Sequence, residues 1–186
     1  MIGFRFVESQ LPEDESTLWA LASRDGDPLA QAAFVRSTQA EVWRFCAALI
    51  DTSTADDLTQ ETYLRAFRAL PQFEGRSSAR TWLLGIARRT CADHLRSVVR
   101  TRRLRDRLAR TLHASTAPDP AGQISAAALL RALSPERREP FVLTQLLGLT
   151  YEQAAAVLEV PVGTIRSRVA RARADLAAGV VTAMAA

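Results

Sequence analysis

Apolar positions recur at helical spacing along most of the chain, and no stretch of convincing length alternates as a strand would. The clearest stripe is Ile165, Val169, Ala172 and Leu176, at i, i+4, i+7 and i+11, one face of a helix. Arg166, Ser167, Ala170, Arg171 and Arg173 cover the opposite side, with Arg168 nearer the edge of the stripe. Just upstream, Thr150 followed three residues later by Gln153 is a capping-box pattern that opens another helix. Val160-Pro161-Val162-Gly163 separates the two, and Thr164 stands where the second restarts. The stretch therefore predicts two helices around a short turn, the second one basic.

The rest of the chain reads as helices and breaks. Glu13-Asp14-Glu15-Ser16 opens a helical pattern through Leu18, Trp19 and Leu21, stopped by the turn signal Asp25-Gly26-Asp27-Pro28. A second helix runs from Leu29 to Ile50 with Phe34, Trp43, Phe45 and Leu49. After the polar break from Asp51, Thr54 and Asp57 form a capping pattern for a helix reaching Leu70, where Pro71 ends it. A loop from Pro71 to Ala79 precedes a helix from Ala79 to about Arg96 that carries Trp82, Leu83, Ile86, Ala87, Cys91 and Leu95.

From Ser97 the stripe is lost. Arg100, Arg102, Arg103, Arg105, Arg107 and Arg110 face only Asp106 and Asp119, and the segment then turns Ala-, Pro- and Gly-rich up to Gly122. This predicts a linker, helical at most in its arginine-rich half. Beyond it, Ser134-Pro135 is a good N-cap and first-turn pair, Gly148 a helix stop, and Pro140 a kink or restart inside that helix. The predicted fold is all-α: two small helical domains on a flexible arginine-rich tether. The boundaries are 1–14 tail, 15–96 first domain, 97–122 linker, 123–176 second domain and 177–186 tail.

Composition narrows the function classes. Hydrophobic residues at 48% and charged residues at 24% are ordinary for a soluble globular chain of 186 residues. All 24 basic side chains are arginine, which suits bidentate contact with phosphate and guanine as well as reflecting base composition. Two distant cysteines, Cys46 and Cys91, and two histidines offer neither a zinc site nor a disulfide framework, and read as small core residues. No cofactor or metal is expected. The apolar start, Met1 to Val7, is too short for a signal peptide, and no window reaches the ~20 apolar residues of a membrane span, so a cytoplasmic protein is expected.

Three surfaces carry candidate chemistry. The basic face of the last helix suits a DNA major groove, although a solvated basic face has the same pattern. In the helix from Ala55 to Leu70, Leu58, Thr62, Ala66 and Ala69 pack inward, while Asp57, Glu61, Leu64 and Arg68 line up outward beside Gln60. A leucine among acids suits a partner groove, and equally an ordinary solvated face. The third surface combines Arg76, Arg80, Arg88, Arg89, Arg96 and Arg100 with Phe73, Trp82, Ser77, Ser78 and Thr81. Cations, aromatics and hydroxyls together are what locally opened nucleic acid needs. Trp82, at helical spacing with Ile86, reads as core, and Phe73 in the loop as the better stacking aromatic.

Asp56-Asp57-Leu58-Thr59-Gln60-Glu61-Thr62, Gly75-Arg76-Ser77-Ser78-Ala79-Arg80-Thr81-Trp82-Leu83, Leu149-Thr150-Tyr151-Glu152 and Pro161-Val162-Gly163-Thr164-Ile165-Arg166-Ser167-Arg168 occur in that order. Together they resemble the extracytoplasmic-function (ECF) sigma factors of the sigma-70 superfamily, over about Leu18 to Leu176. The resemblance implies a sigma-2 domain, a linker and a sigma-4 domain, without sigma-3 or an acidic inhibitory region. It implies that Asp57, Gln60, Glu61, Leu64 and Arg68 dock on the β′ clamp helices of core RNA polymerase, with the β flap a further contact. Phe73, Arg76, Ser77, Ser78, Arg80, Arg88, Arg89 and Asp93 would read the −10 element and trap a flipped base. Asp93 accepts from a cytosine amino group or pairs with Arg89 or Arg96. Thr164, Arg166, Ser167, Ala170, Arg171 and Arg173 would read the −35 element as duplex, the small Ala170 leaving the preferred bases open.

The linker geometry is compatible. About 26 residues at ~3.3 Å reach roughly 86 Å, against roughly 68 Å for elements about 20 base pairs apart. Promoter DNA and core polymerase are thus the expected partners, and an anti-sigma protein is a further partner of many members. The terminal Ala185-Ala186 resembles ends that AAA+ proteases recognise, or is an unremarkable tail. No paired carboxylate, nucleophile–base pair or phosphate loop suggests an enzyme. The other reading is a stand-alone helix-turn-helix regulator, which would have no need of the acidic ridge or the arginine- and phenylalanine-bearing loop.

Overall fold

Asp14 starts the first helix by accepting from the Ser16 amide (3.1 Å) and the Ser16 hydroxyl (2.7 Å). The computed structural model describes residues 14–109 and 126–184, and every regular element among them is helical. Helix α1 (Glu15–Ala22) ends in a 3₁₀ turn at Gly26, whose φ of 86° is one that glycine adopts without strain. Asp27 then caps α2 (Pro28–Leu49) through the Leu29 amide (2.9 Å), with Pro28 in the first turn. Along α2, Phe34, Thr38, Val42, Phe45, Cys46 and Leu49 are buried at helical spacing.

Asp51 rather than Thr54 organises the next start. Its carboxylate accepts from the Thr54 amide (2.8 Å) and the Ser53 hydroxyl (2.7 Å), and Thr54 makes no side-chain cap. Helix α3 (Ala55–Ala69) buries Leu58, Thr62, Tyr63 and Ala66 against α2 and α4, so its two flanking groups, Tyr63 and Leu70, are core. At the start of α4 (Ala79–Ala109) the Ala79 amide donates to the buried Thr17 hydroxyl of α1 (2.8 Å), and the Ser78 hydroxyl accepts from the Thr81 amide (3.2 Å). Two distant segments thereby fix where this helix begins.

Helix α4 does not stop near Arg96. It continues through the arginine-rich stretch to Ala109, a run of about 46 Å at ~1.5 Å per residue. Its packed part ends earlier. Leu83, Leu84, Ala87 and Cys91 are buried, whereas Leu95, Val98 and Val99 are about half exposed. Residues 110–125, which hold the rest of the linker and the first three residues of the second domain, lie outside the described residues, as do 1–13 and the terminal Ala185-Ala186.

The second half consists of α5 (Ala126–Ala132), α6 (Pro135–Phe141), a π-helical turn (Val142–Leu146), α7 (Tyr151–Leu158) and α8 (Val162–Met184). Pro140 has no amide hydrogen to donate, and the ladder widens immediately after it. The Thr144 hydroxyl takes up the Pro140 carbonyl (2.8 Å). The capping box forms in both directions, Gln153 amide to Thr150 hydroxyl (3.2 Å) and Thr150 amide to Gln153 carbonyl (2.9 Å). Between α7 and α8 the chain turns at Glu159, a non-glycine residue at φ 57°.

The two helical halves, joined through the linker, also touch each other. Helix α7 packs on α4, and α5 and the π turn pack on α2, so one buried cluster runs from Phe34 through Leu84 to Val142 and Ile165. Alternation of apolar stripes within each half cannot reveal that the halves also bury surface against each other.

Candidate nucleic-acid and partner-binding surfaces

The basic face of α8 is built as its periodicity predicts. Ile165, Val169 and Ala172 are fully buried on α6 and α7, and Leu176 is half-buried. Arg166, Ser167, Ala170, Arg171 and Arg173 are exposed, and Thr164 is half-buried at the helix start. Arg173 donates to the Gln145 carbonyl (2.6 Å), and Arg168 lies 3.8 Å from Glu136. Arg166 and Arg171 have no ion-pair partner among the described residues, so their guanidiniums face solvent. A slim helix, packed on one side and cationic on the other, fits a major groove and supplies bidentate donors there.

The ridge on α3 is a second, separate surface. Asp57, Gln60, Leu64 and Arg68 are exposed, Leu64 at 48%. Glu61 is half-buried because Arg65, one turn on, donates to it at 2.7 Å. Arg65 also reaches Asp93 of α4 at 2.5 Å, which ties the ridge to the neighbouring face. The i,i+4 spacing of Glu61 and Arg65 was visible in the sequence; the partner on α4 was not. Beside the ridge, α2 and α3 enclose an open groove of about 450 Å³ with Trp43, Thr59 and Tyr63 among its walls. Trp43 Nε1 donates to Asp56 at its rim (2.8 Å).

The third surface departs most from expectation. Phe73 is only 5% exposed: its amide closes the 3₁₀ turn onto the Leu70 carbonyl (3.0 Å), and its ring lies 4.8 Å from that of Trp82. Phe73, read as the free loop aromatic, enters the core, and Trp82, read as core, is half-buried and packed against it. Arg76 and Ser77 are exposed on the loop, with Arg76 paired to Glu74 (2.9 Å), and Ser78 is half-buried as the α4 cap.

Further along α4, Arg80, Arg88, Arg89 and Arg96 have acidic or carbonyl partners. Arg80 binds Glu41 of α2 in a fork (Nε to carboxylate 2.8 Å) and also donates to the Leu147 carbonyl in the second half. Arg88 donates to Glu139 (2.8 Å) and Arg89 to Glu159 (3.3 Å), both across the same boundary. Asp93 pairs with Arg65 first and Arg96 second, and these cations hold its carboxyl below the usual carboxylate range. The alternative of a pair with Arg89 is not the one formed. From the second half, Arg138 returns a contact, donating to the Leu49 carbonyl at the end of α2 (3.0 Å) and to the Leu133 carbonyl (2.9 Å). Glu41, Glu139, Glu159 and Arg138 carry no sequence signal for this, because each pairing spans 39 residues or more.

Among the described residues no cluster of three metal-binding side chains occurs, and no helix is long and apolar enough to cross a membrane.

Comparison with known proteins agrees with this layout. Residues 34–103 match Sigma-70 region 2, and residues 124–176 match Sigma-70 region 4. The chain is 50% identical over 171 residues to the ECF RNA polymerase sigma factor SigC of Mycobacterium tuberculosis and to a probable RNA polymerase sigma-C factor of Mycobacterium bovis. In each case the match covers 89% of this chain and 92% of the relative. Among solved structures, CnrH in complex with the cytosolic domain of CnrY superposes with a TM-score of 0.70 at 27% identity, covering 91% of this chain and 99% of that one. The sigma factor RpoE of Bartonella quintana, in complex with the anti-sigma factor NepR, gives 0.61 at 30% identity, covering 78% and 92%. With both regions matched in order on the two helical halves, and half of the aligned residues shared with named sigma factors, the chain belongs to the sigma-70 family as an ECF RNA polymerase sigma factor.

Proposed function

We propose that the chain confers promoter specificity on core RNA polymerase through three separate surfaces, acting as a binding and strand-opening subunit rather than as a catalyst. The observation that carries this reading is the coexistence of the exposed α3 ridge with the exposed arginine face of α8. A stand-alone repressor requires only the second. In this reading residues 15–96 form the sigma-2 domain, 97–122 the linker and 123–176 the sigma-4 domain, and the protein works in the cytoplasm with the polymerase. Asp57, Gln60, Glu61, Leu64 and Arg68 dock on the β′ clamp helices. Thr164, Arg166, Ser167, Ala170, Arg171 and Arg173 meet the −35 duplex, and the β flap holds the sigma-4 domain.

For the −10 element, Arg76, Ser77, Ser78, Arg80, Arg88 and Arg89 supply phosphate and base contacts, and half-exposed Trp82 supplies the stacking ring over buried Phe73. Arg80, Arg88 and Arg89 contact the sigma-4 half in the closed arrangement, so engagement of DNA requires the halves to separate. Asp93, neutralised by two arginines, positions Arg65 and Arg96 more readily than it accepts from a base. An anti-sigma partner of the kind bound by RpoE of Bartonella quintana, and a protease reading Ala185-Ala186, are the regulatory partners of this reading.

The α3 assignment is tested by charge reversal. Glu61→Arg turns the centre of the ridge cationic beside Arg65. Affinity for core polymerase, measured by competition against the wild-type chain, is expected to fall at least tenfold, with binding of promoter duplex unchanged. Undiminished affinity for core would remove the ridge from the interface.

A further inference from the structure

Cys46 of α2 and Cys91 of α4 are 0% and 2% exposed, and their sulfurs stand 3.7 Å apart, in contact and unbonded. We infer that this pair is a redox site: a peroxide oxidises it to an intramolecular disulfide, and the disulfide lowers promoter-dependent transcription. The transcriptional half of the inference rests on the function proposed above.

The chemistry of the site favours this. The Cys91 thiol donates to the Cys46 sulfur, and this hydrogen bond lowers the Cys46 pKa against the opposing effect of burial. Thr59 and Thr62 lower it further, and Thr59 Oγ1 is a buried oxygen with no conventional hydrogen-bond partner among the described residues. Cys91 shifts the opposite way, held protonated by the Cys46 sulfur and by burial. Of the two sulfurs Cys46 is thus the one that gives up its proton more readily and Cys91 the one that keeps it, the division of labour that disulfide formation uses.

The groove between α2 and α3 comes nearest to the pair: Thr59 lines it and also acts on Cys46, while neither cysteine is one of its walls, so hydrogen peroxide reaches the sulfurs past Thr59 as the core breathes. The Cys46 thiolate attacks one peroxide oxygen and breaks the O–O bond, and the departing hydroxide leaves as water after taking a proton. The Cys91 sulfur then attacks the Cys46 sulfenic acid, forming the S–S bond. The second hydroxide leaves as water with the Cys91 proton. Two thiols lose two electrons in total, and one peroxide becomes two waters.

Bonding requires the sulfurs to close from 3.7 Å to about 2.05 Å. The surrounding core is closely packed, so closing that gap strains the contact between α2 and α4. Cys91 lies one turn beyond Arg88 on α4, and Cys46 lies one turn before Leu49, whose carbonyl receives Arg138. The staple therefore pulls on the proposed −10 helix and on the contact between the halves together.

The test uses the full chain, reduced and then exposed to hydrogen peroxide, with mass spectrometry after thiol alkylation and transcription with core polymerase. Oxidation is expected to remove two hydrogens and both alkylation sites, to reduce transcription severalfold, and to be reversed by dithiothreitol. Cys46→Val and Cys91→Val, each close to the thiol in volume, are expected to transcribe as the reduced wild type does and to ignore peroxide. Persistent free thiols in the folded, peroxide-treated chain would overturn the inference, as would a disulfide that leaves transcription unchanged. Failure of the reduced chain to support transcription would instead count against the proposed function.

Discussion

Glu159 shows how a single residue sets the geometry of the helix-turn-helix. Its φ of 57° is left-handed, which costs a non-glycine residue about 1–2 kcal/mol. The conformation persists because the Val160 amide closes back on the Ala155 carbonyl (3.1 Å), a C-terminal cap that lets α8 cross α7. The Arg89 pair on its side chain is exposed on both partners and adds little. Glu159→Gly is therefore expected to stabilise the chain by about 0.5–1 kcal/mol, once the extra freedom of glycine in the unfolded chain is subtracted. Thermal unfolding checks this, and a lowered midpoint would show that the side chain matters more than the backbone strain. Loop position suggested that Phe73 was free, but a 3₁₀ turn places it 4.8 Å from Trp82, and the turn has no hydrophobic period from which to read it.

Among the elements, the α2–α3 junction carries a titratable group whose behaviour can be separated from the rest. The Tyr63 and Thr38 hydroxyls meet at 2.6 Å in the core, and Thr38 also donates to the Phe34 carbonyl (2.7 Å). Burial pushes the Tyr63 phenol up from 10.0 to about 12, against the Thr38 hydrogen bond and with help from the Glu41 charge. The neutral phenol is favoured by folding, so its contribution is complete below pH 10 and is lost as pH rises from 10 through 12. The chain has no lysine, which removes the usual competing titration in that window. Tyr63→Phe is expected to flatten the loss of stability between pH 10 and 12 by on the order of 1–2 kcal/mol, read from urea unfolding at each pH. An unchanged alkaline slope would contradict it. The elements were legible where packing is local. The α8 stripe, the inward face of α3 and the Thr150–Gln153 capping box all follow from spacing alone. The length of α4 was not legible, because its arginine-rich end has no stripe, and nor was the Asp51 cap, whose partners lie at short, non-periodic offsets.

At the scale of the molecule, the contact between the two halves is what no periodicity announces. Arg80 to Leu147, Arg88 to Glu139, Arg89 to Glu159 and Arg138 to Leu49 join residues far apart in sequence, and the first three arginines read from the sequence only as cations for nucleic acid. Arg88 and Glu139 are both largely shielded, so replacing the acid leaves two like charges facing each other in a partly dry contact. Glu139→Arg is expected to open the halves, seen as an increased radius of gyration by small-angle scattering with helicity retained. An unchanged radius would place the closing energy in the apolar cluster instead. The account depends above all on promoter selection by the polymerase complex. The most direct measurement is transcription in vitro from a library of random promoters by core polymerase, with and without the purified chain. Transcripts that depend on the chain and share a −35 and a −10 motif are the expected result. Binding of duplex DNA with no dependent transcript, using active core and inhibitor-free protein, would contradict the account.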